Sequence, residues 1–67
     1  MRSDRDIDYI DIKTVDGDYR IDSRDEYIYW IKYVRRLNGY RVKTLDHDYV
    51  FHKDRVLLID VSYEEEF

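Results

Sequence analysis

Asp16-Gly17 is the pair of residues that most restricts how this chain can fold. Asp-Gly is a strong signal for a two-residue hairpin, because both central positions of that tight turn need positive φ. A turn centred there pairs Val15 with Asp18, Thr14 with Tyr19 and Ile12 with Ile21. One face of the hairpin then carries Ile10, Ile12, Thr14, Tyr19 and Ile21, and the other carries Asp11, Lys13, Asp18, Arg20 and Asp22. The turn and the separation of apolar from charged side chains thus agree, and a slip of one residue would exchange the faces. The pairing sets Lys13 opposite Arg20, a like-charge contact softened by Asp18 and Asp22 on the diagonals.

The next segment, Ser23 to Gly39, carries the marks of a helix. Ser23 and Glu26 have the spacing of a capping box. Asn38-Gly39 offers the left-handed residue that commonly ends a helix. Asp25 and Glu26 would lie in the first turn and Arg35 and Arg36 in the last, matching the helix dipole at both ends. At about 100° per residue, Tyr27, Trp30, Ile31, Val34 and Leu37 share one face, with Tyr29, Lys32 and Arg36 opposite. Three further strands follow, over Tyr40 to Leu45, Tyr49 to Lys53 and Val56 to Tyr63. Asp46-His47-Asp48 and Asp54 are the turns between them. Val56, Leu57, Leu58 and Ile59 are apolar on both faces, which predicts a central position for the last strand. Residues 1–5 and 64–67 are expected to fray.

The expected fold is therefore a single α+β domain of order ββαβββ, with one helix packed on one face of an antiparallel sheet. One helix cannot cover Val50, Phe51, Val56 and Leu58 together. The excess calls for a curled sheet, a partner, or a second copy of the chain.

Size makes that excess matter. A chain of 67 residues buries roughly 60% of its unfolded surface, so its stability is marginal. It has no cysteine, hence no disulfide and no thiolate metal site. Eight Tyr, two Phe and one Trp supply the apolar bulk instead. No apolar run approaches the ~20 residues of a membrane helix, and the first residues lack a signal-peptide core. The cytoplasm is the expected compartment. Pro, Ala and Gln are absent while Asp, Tyr and Ile are abundant. Apart from Arg, which is also abundant, such a composition follows A/T-rich codons, as in a low-GC bacterium or a phage or mobile element living in one.

Charge is sorted along the chain. The net charge is −4, with nine acidic and five basic residues in 1–26 and seven acidic and two basic in 46–67. Between them, residues 27–45 hold five basic residues and no acidic one. Either the segments neutralise one another on folding, or the surface has two signs and orients a partner.

Catalysis finds no support. No two carboxylates stand out as an acid–base pair, both glycines serve turns, and no Ser/His/Asp set is present. His47 and His52, near Asp46, Asp48 and Asp54, lack the spacing of a known metal site and read as turn and surface residues. No enzyme, cofactor or metal is expected. The leading expectation is a small acidic protein-binding module. It would act as a phage-type inhibitor or regulator of a nucleic-acid-handling protein, its carboxylates imitating a row of phosphates. Asp8, Asp11, Asp18 and Asp22 form that stripe, with Asp4 and Asp6 ahead of it. The second expectation is single-stranded RNA or DNA binding through the basic, Tyr-rich segment: Tyr29, Lys32, Tyr33, Arg36, Arg41 and Lys43. A pI near 5.0 opposes it unless the acidic segments face away. The third is a structural homo-oligomer, such as a homodimer, using the apolar last strand.

Overall fold

The computed structural model describes residues 6–64. The expectations for residues 1–5 and 65–67, including Asp4, lie outside the described residues.

Two three-stranded antiparallel sheets make the fold. β1 (Ile7–Thr14), β2 (Gly17–Asp22) and β6 (Val56–Tyr63) form sheet A in the order β2-β1-β6. β3 (Ile28–Val34), β4 (Gly39–Thr44) and β5 (Asp48–His52) form sheet B in the order β3-β4-β5. The inner faces meet in one core of Ile7, Ile10, Ile12 and Ile21 from sheet A with Ile28 and Val42 from sheet B. Ile31, Tyr49, Phe51, Val56, Ile59 and Val61 pack around it.

The α+β expectation is overturned: among the described residues there is no α-helix, and Ser23 to Gly39 holds a turn, a strand and a 3-10 turn. From Tyr27 to Val34 every residue except Lys32 is aromatic or β-branched. Such side chains lose χ1 freedom in a helix and suit a pleated surface. The apparent capping residues serve other structures. Asp22, not Ser23, closes the first turn: its carboxylate accepts the Arg24 N–H at 2.9 Å and its carbonyl the Asp25 N–H at 3.0 Å. Ser23 N–H donates instead to the Asp8 carbonyl, at 2.9 Å, extending the hairpin. At the far end Arg35–Leu37 make one 3-10 turn between β3 and β4. Asn38 is the left-handed residue there, with φ 56° and ψ 42°.

Gly39 is required for a reason unrelated to helix ends. It sits on central strand β4, between Val34 and His52. A β-carbon added there would lie 2.4 Å from the Phe51 carbonyl oxygen.

The first hairpin keeps its expected faces but not its expected partners. Thr14 pairs with Gly17, Ile12 with Tyr19, Asp11 with Arg20 and Lys13 with Asp18. The pairing is slipped by two residues, so parity is preserved and Ile10, Ile12, Thr14 and Ile21 are buried. Tyr19, expected on the same face, is exposed at the sheet edge. The slip replaces the Lys13–Arg20 clash with two opposite-charge pairs. Val15 and Asp16 become the turn, Gly17 takes φ +143°, and Thr14 Oγ1 both donates to the Gly17 carbonyl at 2.8 Å and accepts the Asp16 N–H at 3.1 Å.

The last strand runs over the expected residues, but as an edge rather than a centre. It pairs only with β1, and Leu57 and Leu58 remain 68% and 54% exposed. Leu57 is the extra residue where the register shifts between Lys13 and Thr14. Glu64, expected to fray, donates its N–H to the Asp6 carbonyl at 2.8 Å.

Candidate functional site

Side chains alternate across a strand, so the register sorts the outward residues row by row. On sheet B one row across β3, β4 and β5 reads Trp30, Lys43, Asp48, and the next reads Lys32, Arg41, Val50. The Lys32 ammonium lies 4.4 Å from the Trp30 ring centroid and the Arg41 guanidinium 5.7 Å from it, so both cations are in reach of its π face. Arg41 also donates two hydrogen bonds to Asp48, from Nε at 2.8 Å and from Nη2 at 2.5 Å. These bonds hold the Asp48 carboxyl below the usual carboxylate range, against the opposing effect of burial. Lys32 and Lys43 have no ion-pair partner among the described residues. The face thus presents an aromatic ring and three cations against one carboxylate.

The outer face of sheet A has the opposite sign. Its rows read Asp18, Lys13, Leu58; then Arg20, Asp11, Asp60; then Asp22, Tyr9, Ser62. Four carboxylates stand with two cations. Arg20 donates to both Asp11 oxygens, at 2.7 and 2.9 Å, and its guanidinium lies 4.1 Å from the Tyr9 ring centroid. The Arg20 hydrogen bonds lower the Asp11 pKa, and the Arg24 backbone and side chain lower that of Asp22.

The two expected residue sets are therefore only partly assembled. Of the acidic stripe, Asp11, Asp18 and Asp22 share the outer face of sheet A, while Asp8 sits at the register shift between Ile7 and Tyr9. Asp6 lies before β1 and accepts the Tyr27 hydroxyl at 3.0 Å. Of the basic set, Lys32, Arg41 and Lys43 converge. Tyr29 is the extra residue between Ile28 and Trp30, packed edge-on to Tyr27 at 5.0 Å. Tyr33 faces the other side of its strand, edge-on to Tyr40 at 5.2 Å. Arg36 is exposed in the 3-10 turn at the end of the β3–β4 hairpin. Trp30, assigned to the core under helical spacing, is the residue the sequence reading missed. Its signal is a period of two, Trp30 with Lys32 and Arg41 with Lys43.

A second polar cluster forms around Glu26. Its Oε1 accepts the Thr44 hydroxyl at 2.8 Å and the Asp46 N–H at 3.0 Å, while its Oε2 lies 2.9 Å from His47 Nδ1 and accepts the Tyr49 hydroxyl at 3.3 Å. Burial raises the Glu26 pKa, but the bonds from Thr44, Asp46 and His47 outweigh it and the net shift is downward. The cluster ties the connection before β3 to the β4–β5 turn, and it is fully explained as structure. Among the described residues no group of three His, Asp or Glu side chains is arranged to hold a metal ion.

Grooves mark the two seams between the sheets. The one between β3 and β6, about 520 Å³, is lined by Ile31, Tyr33, Tyr40, Leu57, Leu58 and Val61 among others. The one between β2 and β5, about 470 Å³, includes Tyr19, Phe51, His52 and Arg55. No helix among the described residues is long and apolar enough to cross a membrane, which leaves membrane-spanning strands aside. No family model, curated protein or solved structure matches the chain.

Proposed function

We propose that this chain binds single-stranded nucleic acid through the outer face of sheet B. The observation that carries the reading is the convergence of Trp30, Lys32, Arg41 and Lys43 on one outward face, with the acidic rows on the opposite side of the sandwich. Bases stack on aromatic rings and phosphates meet cations, and neither requires a particular sequence. The pI of 5.0 then reflects the far face rather than the contact surface. An encounter with a polyanion would be oriented by this two-signed field. The cytoplasm is the compartment in which such a ligand would be met, and no enzymatic step is part of the reading.

Trp30 is the single tryptophan, so its fluorescence reports on the face directly. Titration with an oligothymidylate should quench it. Three cations imply a slope of about −2 for log affinity against log salt, at about −0.7 per phosphate neutralised. Lys32→Glu with Lys43→Glu should remove binding while the circular dichroism spectrum is kept. Binding that ignores salt, or that survives both changes, would refute the reading.

A protein partner is the second reading, in the form of an inhibitor or regulator with a basic target. It is supported by Asp18 and Asp60, exposed on sheet A. Asp11 and Asp22 are tied to Arg20 and Arg24, so a continuous phosphate-like row is not presented. Reversing Asp18 and Asp60 to Lys should abolish capture of such a target; unchanged capture counts against it.

A further inference from the structure

We infer that a second copy of this chain docks head to tail, the outer face of sheet A of one molecule against the outer face of sheet B of the next. The layout of charge on the two faces supports this docking independently of nucleic-acid binding. Sheet A shows four carboxylates and two cations outward; sheet B shows three cations and one carboxylate. Asp11 and Asp22 are answered by Arg20 and Arg24, and Asp48 by Arg41. Among the described residues, the carboxylates outside any ion pair on the sheet A face are therefore Asp18 and Asp60, and the cations outside any on the sheet B face are Lys32 and Lys43, opposite in sign. Both faces belong to three-stranded antiparallel sheets, and because the sheets share one core, the faces point in opposite directions. Two complementary faces, each turned away from the shared core, can both be satisfied when copies dock head to tail.

Lys32 and Lys43 would meet Asp18 and Asp60. Apolar side chains reinforce the match, since Leu58 stands 54% exposed on the acidic face and Val50 51% exposed on the basic one. The contact is heterologous: each molecule uses two different surfaces, so stacking does not close on itself as a two-fold dimer does. The net charge of −4 opposes it, which confines the association to high protein concentration. Nucleic acid and a second copy would compete for the sheet B face.

Sedimentation velocity at high protein concentration should give a mass above 8.4 kDa at low ionic strength. The apparent association constant should fall at least about tenfold from 20 to 200 mM salt, as the Debye length shrinks below about 10 Å. A monomer at every ionic strength overturns the inference. So does association that strengthens with salt, which would indicate an apolar contact at the β3–β6 seam.

The decisive arm uses two single-face variants. Asp18→Asn with Asp60→Asn neutralises the acidic face, and Lys32→Gln with Lys43→Gln the basic one, without making the altered faces attract each other. Each alone should be monomeric, and an equimolar mixture should form a 1:1 complex through the one intact face on each molecule. A mixture that stays monomeric overturns head-to-tail docking, as does either variant associating alone as the parent does. Lys32→Ala with Lys43→Ala repeats the test if the Gln variant does not fold. The sheet A variant keeps the basic face and should still quench with oligothymidylate, so loss of stacking and loss of nucleic-acid binding are read separately.

Discussion

Replacing Gly39 by Ala tests the fold at its most exposed assumption. The added β-carbon would stand 2.4 Å from the Phe51 carbonyl oxygen and 3.1 Å from the His52 α-carbon. Both are backbone atoms of β5, so no side chain can swing away. Ordinary contact begins at 3.4 Å, which forces β4 and β5 apart by about 1 Å at the Gly39–His52 pair. A separation of that size breaks one or two ladder hydrogen bonds, worth about 0.5–1.5 kcal/mol each net. Forcing an extra carbon into a packed site costs about 1–3 kcal/mol. Against this, Ala restricts the unfolded chain and returns about 0.4–1 kcal/mol. The net expectation is a loss of about 2 kcal/mol. A domain of this size has roughly 3–10 kcal/mol in total at ~0.05–0.15 per residue. Thermal melting followed by circular dichroism should therefore show Tm lowered by about 8–16 °C. Gly39→Asn discriminates further. At a helix end Asn is tolerated because it accepts the left-handed conformation; on a strand facing Phe51 it should cost as much as Ala. Asn38→Gly, at the residue that is left-handed, should be close to neutral. Unchanged or raised stability in Gly39→Ala would refute the close approach of β4 to β5 and the strand assignment with it.

Other expectations follow from the same structure. Far-ultraviolet circular dichroism of the unmodified chain should show a sheet spectrum without the double minimum of a helix. Ile10 is fully buried at the centre of sheet A, so Ile10→Ala should cost about 2–5 kcal/mol in urea denaturation; a loss below 1 kcal/mol would deny it that position. Asp11, Asp22, Glu26 and Asp48 all have lowered pKa values in the folded chain. Their contribution to stability is present above the unfolded-state values of about 4 and is lost as pH falls through the lower folded ones. Tm should thus decline below about pH 4.5, and the acid limb should flatten in Glu26→Gln; a Tm independent of pH from 6 to 2 would contradict these pairings.

Several parts of this structure were legible in the residues, and the failures have physical causes. The faces of the first hairpin follow from alternation, which a slip of two leaves intact. Its partners were not legible from the turn, because Asp-Gly fixes a turn only to within the choice of which two residues span it. The observed register is the one that sets Asp11 against Arg20 and Lys13 against Asp18. Ser23 to Gly39 has the end signals of a helix and an apolar face at helical spacing, but its interior lacks helix-forming residues. Seven of the eight residues from Tyr27 to Val34 favour a strand, and a second sheet can cover the inner face of sheet A more widely than one helical stripe. The candidate site followed the same division. Lys32, Arg41 and Lys43 were selected from charge alone, whereas Trp30 could be found only once the period was known to be two.

The pairing of β1 with β6 has a kinetic consequence. Sheet B is a meander, each strand bonded to its chain neighbour, and its contacts close over short loops. Sheet A is different: β1 is its centre, yet Ile12 meets Ile59 across nearly the whole chain. Such long-range closure is slow and comes late. During synthesis β1 and β2 would form a two-stranded hairpin, marginal by itself in water, and would lack their third strand until β6 is made. The exposed Leu57 and Leu58 arrive with that strand, at the moment when the second edge of β1 is still open to any other extended segment. Removing β6 should therefore do more than trim an edge: it should leave the first strand without its second neighbour and the domain unable to complete its folding.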